Sequence, residues 1–186
     1  MAAERLRAKF LADTALYDPK HLGQDARFGP VERIPVLTTF TDRKECAQRG
    51  VHRATVAGIS GSSKDGAYSI CVSGGYEDDE DNGDKIIYTG TGGQPDPFSF
   101  SGSQTGDQSF NHKDNAALKI SADTKKPVRV VRGPNKNSPW APDKGYRYDG
   151  LYIVKEAYLA KGQSGYVICR YELERVPGQP RIPRKW

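Results

Sequence analysis

Five runs of β-branched and aromatic residues set what this chain can fold into: "AYSICVS" from Ala67, "KIIYT" from Lys85, "KPVRVVR" from Lys126, "YDGLYIVK" from Tyr148 and "GYVICRYELERV" from Gly165. Such side chains pack well on a pleated surface, and Tyr68, Ile70 and Val72 alternate onto one face. Helical signals are short. "TDRKECAQRG" predicts one helix, capped by Thr41 or Asp42 and stopped at Gly50, and "KDNAALKIS" predicts another. "AGISGSSKDG", Ala57 to Gly66, reads as loop from its glycines and serines. Many short strands with few short helices predict an α+β domain, a twisted barrel-like sheet flanked by short helices, and exclude a βαβ nucleotide fold. Residues 1–27 are expected to form a helical arm and connector, with Leu6, Phe10 and Tyr17 at helical spacing and Pro19 ending it. Residues 28–176 form the main domain, and 177–186 a Pro- and Arg-rich extended tail.

The charge is unevenly spread. The whole chain carries +5. From Lys119 onward there are 15 Lys and Arg against 6 Asp and Glu, a net +9, so the preceding part is near −4. A basic half points to a polyanionic partner, because phosphate contacts supply most non-specific nucleic-acid affinity. Against this stands the plainer reading that basic residues solubilise a β-rich surface. No apolar run approaches the length of a membrane span, and the amphipathic N-terminus lacks the apolar core of a secretory signal, which predicts an intracellular protein with no membrane partner. Cys46, Cys71 and Cys169 are odd in number and never spaced C-x-x-C, so neither a disulfide framework nor a zinc knuckle is indicated.

Catalytic and metal motifs fail on inspection. Aligning Gly83 with the glycine of a calcium loop puts Asp78, Glu80 and Asn82 at ligand positions but Thr89 where a bidentate Glu is required. "GISGSSKD" lacks the glycine before Lys64 and the hydroxyl residue after it that a phosphate loop needs. His21, His52 and His112 stand apart from any nucleophile or ligand spacing and read as surface or hydrogen-bonding histidines. A binding module, not an enzyme, with no metal or cofactor, is the expectation.

What remains is an acidic stretch bracketed by glycines, "VSGGYEDDEDNGDKIIYTGTGG" from Val72. With "FGP" at Phe28, "GVHR" and "VAGISG" between Gly50 and Gly61, "KPVRVVR", "RYDGLY" from Arg147 and "KGQSGYVICRYELER" from Lys161, it resembles the SET- and RING-associated (SRA, or YDG) domain, which reads methylated cytosine in DNA. The ordered segments run from about Phe28 to Arg175 and include Tyr148-Asp149-Gly150. The residue types suit that chemistry. Rotating a base out of a duplex costs a few kcal/mol, and stacking on aromatic rings returns about 1–3 kcal/mol each. Tyr76 and Tyr88 are the natural pair. An ionised Asp79 accepts from the exocyclic amine of cytosine and repels the carbonyl of thymine. Gly74 and Gly75 let backbone N–H groups approach the base.

The resemblance implies a 5-methylcytosine pocket of Ser73, Gly74, Gly75, Tyr76, Asp79, Tyr88, Thr89 and Thr91, with the Thr89 backbone at the amine and Thr91 beside the methyl group. It implies a thumb loop entering a groove through Val56 and a finger loop through Gln104. In vertebrate members the finger tip is Asn-Lys-Arg; here "SFSGSQTGDQSF" is one residue shorter, with Gln104 and Thr105 in place of the cations, so preference between hemi- and fully methylated CpG stays open. Arg53, Lys64, Lys136 and Lys144 are phosphate candidates, whereas Arg129 and Arg132 are open between phosphate contact and structural ion pair. Asp79 is expected to be buried, with Glu77, Asp78, Glu80 and Asp81 facing solvent. The implied protein is a monomeric, nuclear reader of double-stranded DNA, linked to methylation maintenance and to chromatin or DNA methyltransferase partners. Two alternatives stand beside it: the recognition part of a modification-dependent nuclease, and a chromatin module binding a protein through its tail and arm.

Overall fold

The computed structural model of the chain describes residues 27–94 and 104–186. The expected N-terminal arm and the first five residues of the finger segment lie outside them. Eight strands form one mixed sheet: β1 (Thr39–Phe40), β2 (Ile59–Ser62), β3 (Gly66–Val72), β4 (Glu80–Asp81), β5 (Lys85–Thr89), β6 (Val128–Arg132), β7 (Tyr146–Lys161) and β8 (Val167–Arg175). Their order is β2-β3-β6-β7-β8-β5-β4, with β1 added to β7. Among the described residues only β3 and β6 run parallel; the other pairs are antiparallel. Register shifts interrupt the β2–β3, β6–β7 and β7–β8 ladders, and the sheet stays open, its path ending at β2 and β4.

Among the described residues two helices complete the α+β expectation, α1 (Arg43–Gln48) and α2 (Lys113–Thr124). Asp42 caps α1 by accepting from Glu45 N at 2.8 Å, and Gly50 follows with φ 76°, as the sequence predicts. The reading of Ala57–Gly66 as loop is corrected, because its middle is β2. Gly61 lies so close to β3 that a Cβ there would sit 2.6 Å from Ala67 Cα, so glycine marks a backbone approach, not an absence of structure.

The main core joins Ile70, Val130, Tyr152, Val154, Tyr171 and Leu173 from the sheet to Ala117 and Leu118 of α2. The Pro- and Arg-rich tail is extended but docked. Ile182 is buried in that core, the Gln179 amide pairs with Leu151 N and O at 2.8 and 2.9 Å, and Lys185 N donates to Pro139 O at 2.8 Å.

Through the fold runs a buried charge network. Arg132 is fully buried and donates to both oxygens of Asp81, at 2.9 and 2.8 Å, to Asp149 Oδ2 at 2.8 Å, and to Gly83 O at 2.7 Å. Arg147 donates to the two Asp149 oxygens at 2.5 and 2.9 Å. Two guanidiniums thus face two carboxylates, and Arg132 resolves as a structural ion-pair partner. Arg129 is also buried, donating to Gly29 O at 2.6 Å. Asp81 was expected to face solvent; it is instead turned inward by Arg132. Burial pushes its carboxyl up, but the hydrogen bonds and charge of Arg132 outweigh this and hold it below the usual carboxylate range.

Removing one partner of a buried pair leaves the other uncompensated, so Asp81→Asn is expected to lower stability by about 3 kcal/mol in urea unfolding at pH 7. Because the folded carboxyl titrates below its unfolded value near 4, its contribution is complete above about pH 5 and fades as pH falls. The gap between wild type and variant should therefore narrow below about pH 4.

Candidate functional site

A cavity of about 280 Å³ opens between the ends of β3 and β5, the loop before β2 and the N-terminus of α2. Its walls include Ser73, Gly75, Tyr76, Asp79, Tyr88, Thr91 and Val56. Seven of the residues picked from sequence thus meet around one space large enough for a pyrimidine.

Each wall has a local cause. Tyr88 lies on β5 opposite Tyr171 of β8, is buried as part of the main core, and donates its hydroxyl to Cys71 O at 3.3 Å. It forms a rigid back wall. Burial pushes its hydroxyl pKa upward, so it stays neutral. Gly58 makes room for it, since a Cβ there would lie 2.6 Å from the Tyr88 hydroxyl. Tyr76, half-buried, comes from the loop after β3. That loop is held from outside the cavity. Asp78, expected in solvent, is 6% exposed and accepts from Gln163 N at 2.9 Å, while Glu77 O accepts from the Gln163 amide at 2.9 Å. Glu77 and Glu80 are exposed as expected, with Glu80 paired to Arg170 at 3.3 Å.

Asp79 Oδ1 accepts from Thr89 N at 2.8 Å. Burial pushes the Asp79 carboxyl up to about 7, against the opposing pull of the Thr89 N–H. Thr89 is itself buried, and both its backbone N–H and its hydroxyl act on Asp79 to hold the carboxyl down. Gly74 (φ 74°) is exposed and turns the chain between Ser73 and Gly75.

Val56 stands 45% exposed on a loop pinned from beneath. Arg43 Nη2 donates to Ala54 O at 2.8 Å and Ala57 O at 2.5 Å, and Nη1 to Val56 O at 3.4 Å. His52, fully buried, lies 3.0 Å from Ala57 O through Nε2 and 2.6 Å from the Ser69 hydroxyl through Nδ1. A carbonyl only accepts, so Nε2 carries the proton and Nδ1 accepts from Ser69. Burial pushes the His52 pKa down to about 4, keeping the ring neutral.

Gln104 departs from the expectation of an inserting side chain. It is 8% exposed and its amide donates to Gly106 O at 2.7 Å and Val167 O at 3.0 Å, so it braces the Gly93 turn. Arg53, Lys64, Lys136 and Lys144 are all exposed on loops. Arg43, Gly58, Gln94, His112 and Asp114 also line the cavity and were not picked out from sequence. Two buried amides behind it were missed as well. Asn115 bonds Thr91 N and O at 2.8 and 2.9 Å, and Gln108 donates to Gly90 O at 2.8 Å. Asn115 sits in the first turn of α2 and carries no local signal of this role.

A mixed sheet whose open end holds an aromatic-walled slot, with a carboxyl at its floor and an apolar tip at its mouth, is the architecture of a nucleobase-binding module. The chain belongs to the SAD/SRA domain family, whose model matches residues 27–179. A UHRF1-like protein of Cryptococcus neoformans is 46% identical over 166 residues, covering 85% of this chain and 48% of that protein, so the chain spans about half the length of this relative. Among solved structures, the modification-dependent TagI restriction endonuclease matches with a TM-score of 0.76 at 38% identity, over 81% of this chain and 53% of that one. The SRA domain of SUVH5 in complex with hemimethylated CG DNA matches at 0.69 and 39% identity, over 84% of this chain and 98% of that one.

Two outcomes follow from the geometry. His52 binds its proton less well folded than unfolded, so its contribution is complete above about pH 6.5 and is lost as pH falls toward 4; the shift amounts to about 3 kcal/mol. His52→Gln should flatten that part of the stability–pH curve in urea titrations. Gly58→Ala should cost about 1–3 kcal/mol, because the core gives Tyr88 nowhere to move.

Proposed function

We propose that this chain is a non-catalytic reader of 5-methylcytosine in double-stranded DNA, which binds the modified base extruded from the helix. The observation that carries the reading is the cavity that brings Tyr76, Asp79, Tyr88 and Thr91 together beneath an exposed Val56. The base stacks between the two tyrosines, Asp79 addresses its amino edge, and the backbone near Gly75 takes its carbonyl. Thr91 borders the methyl group. Val56 enters the gap left in the stack, on a loop that Arg43 and His52 hold in shape. Arg53, Lys64, Lys136 and Lys144 are proposed to contact phosphates; the strand arginines are not, being buried. The SUVH5 domain in complex with hemimethylated CG DNA supports a duplex ligand.

A methyl group fitted into a pocket is worth roughly 0.8 kcal/mol by burial and about 1–3 kcal/mol with shape rejection, so selectivity over plain cytosine is on the order of tenfold. A nuclear location and chromatin or DNA methyltransferase partners are part of the same proposal. The similarity to TagI favours one second reading, in which the domain is the recognition part of a modification-dependent nuclease. Cleavage of methylated plasmid with magnesium, by the chain alone and with a candidate nuclease chain, separates the two.

Asp79→Ala is expected to abolish the preference for methylated over unmethylated duplex while leaving the salt dependence of binding unchanged, since phosphate contacts set that slope. Fluorescence-anisotropy titrations over unmethylated, hemimethylated and fully methylated duplexes read both. An undiminished preference in the variant overturns the pocket assignment.

A further inference from the structure

Tyr88 and Tyr76 wall the same cavity but are secured differently. Tyr88 is buried on β5, with its hydroxyl bonded to Cys71 O. Tyr76 is half-buried and follows Gly74 and Gly75, and among the described residues no hydrogen bond or ring contact fixes its side chain. Where its ring points therefore depends on what holds its backbone. Resting on the base-reading function above, we propose that the connection from β7 to β8, residues 162–166, is the positioning element of the base slot, and that Gln163 is the residue through which it sets Tyr76.

The grip is on the outer side of a tight turn. Asp79 N donates to Tyr76 O at 3.2 Å, so residues 76–79 close on themselves and present Glu77 and Asp78 at the tip, outside the cavity lining. Gln163 holds both. Its side-chain amide donates to Glu77 O at 2.9 Å and its backbone N–H to Asp78 Oδ1 at 2.9 Å. Ser164 donates its hydroxyl to the Glu77 carboxylate. Gly162 lets the two segments approach, because a Cβ there would lie 2.8 Å from Asp78 Oδ2. The Asp79 end of the turn has its own anchor in Thr89 N on β5. The Tyr76 end follows two glycines, whose backbone freedom leaves the tip to steady it.

The gripping element is itself firm. Gly162 N donates to Tyr166 O at 2.8 Å and Gly165 N to Gly162 O at 3.0 Å, which closes a compact turn. Beneath it Ile168 and Cys169 of β8 are fully buried. Val167, the first residue of β8, also holds the segment 104–108. Its N–H donates to Asp107 Oδ1 at 2.8 Å, and its carbonyl accepts from Gln104 Nε2 at 3.0 Å and Gln108 N at 2.8 Å. The loop that carries Tyr76 and the segment 104–108 thus share one support.

Fluorine NMR of the protein labelled with fluorotyrosine tests this without DNA, the resonance lost in Tyr76→Phe being that of Tyr76. Gln163 is exposed, so Gln163→Ala should leave the resonances of the buried tyrosines in place while moving that of Tyr76 toward the value of free fluorotyrosine. Gly162→Ala, which displaces Asp78, should act alike. Gln163→Lys keeps a donor for Glu77 O and should restore the wild-type position. In binding titrations the ratio of methylated to unmethylated affinity should fall about two- to tenfold in Gln163→Ala, the worth of one hydrogen bond, and recover in Gln163→Lys; taking the ratio divides out the added charge. A Tyr76 resonance unmoved in both Gln163→Ala and Gly162→Ala, or a loss that Gln163→Lys does not restore, overturns the proposal. Absence of any preference for methylated duplex in the wild type sinks the base-reading function instead, a separate result from the NMR reading of the turn.

Discussion

The fold depends on a guanidinium that has no access to water. Arg132 lies at the end of β6, and its donors reach Asp81 on β4, Asp149 on β7 and the carbonyl of Gly83 in the turn between β4 and β5. The end strand β4 is thereby tied to β6 and β7 in the middle of the sheet path. Burying a guanidinium is tolerable only when its donors are met and its charge is balanced, and the two carboxylates do both. The Tyr148-Asp149-Gly150 run is legible in these terms, because Asp149 sits between Arg132 and Arg147 and holds the two cations apart.

From that anchor the site follows. With Asp81 fixed, the chain just before it has little freedom, and Asp79 is delivered to Thr89 on the neighbouring strand. Asp78 is pulled the other way, onto the turn after β7. The density of acidic residues in a basic protein is thus a division of labour: one carboxylate for the core, one for the outer loop, one for the cavity. On the far side of the cavity, Arg43 and His52 gather the carbonyls of a short loop and leave Val56 outside. A site built this way has spent its ordering entropy during folding, which leaves more of the stacking energy to offset the cost of base extrusion.

Much of this was written in local pattern. The five β-rich runs became strands and both short helices formed, the first with its expected caps, because burial, propensity and capping agree there. The cavity residues were legible through their resemblance to a family, not through periodicity. What local pattern hides is pairing across the sheet. Gly61 looks like a loop residue until β3 lies against it. Asp78 and Asp81 look solvated until Gln163 and Arg132, distant in sequence, arrive. Gln104 looked free to insert because nothing nearby in the chain shows the carbonyls of Gly106 and Val167 converging on it. The docking of the extended tail was not legible because a lone Ile182 carries no periodicity.

In the proposed mode a modified base leaves the helix to occupy the slot between Tyr76 and Tyr88. Fluorescence of 2-aminopurine placed beside the methylated cytosine reports it directly, since that probe is quenched while stacked. Saturating protein should raise the emission of the methylated duplex well above that of its unmethylated twin at equal occupancy. Equal, quenched emission from both bound duplexes would mean that the base stays in the stack, and the account would fail.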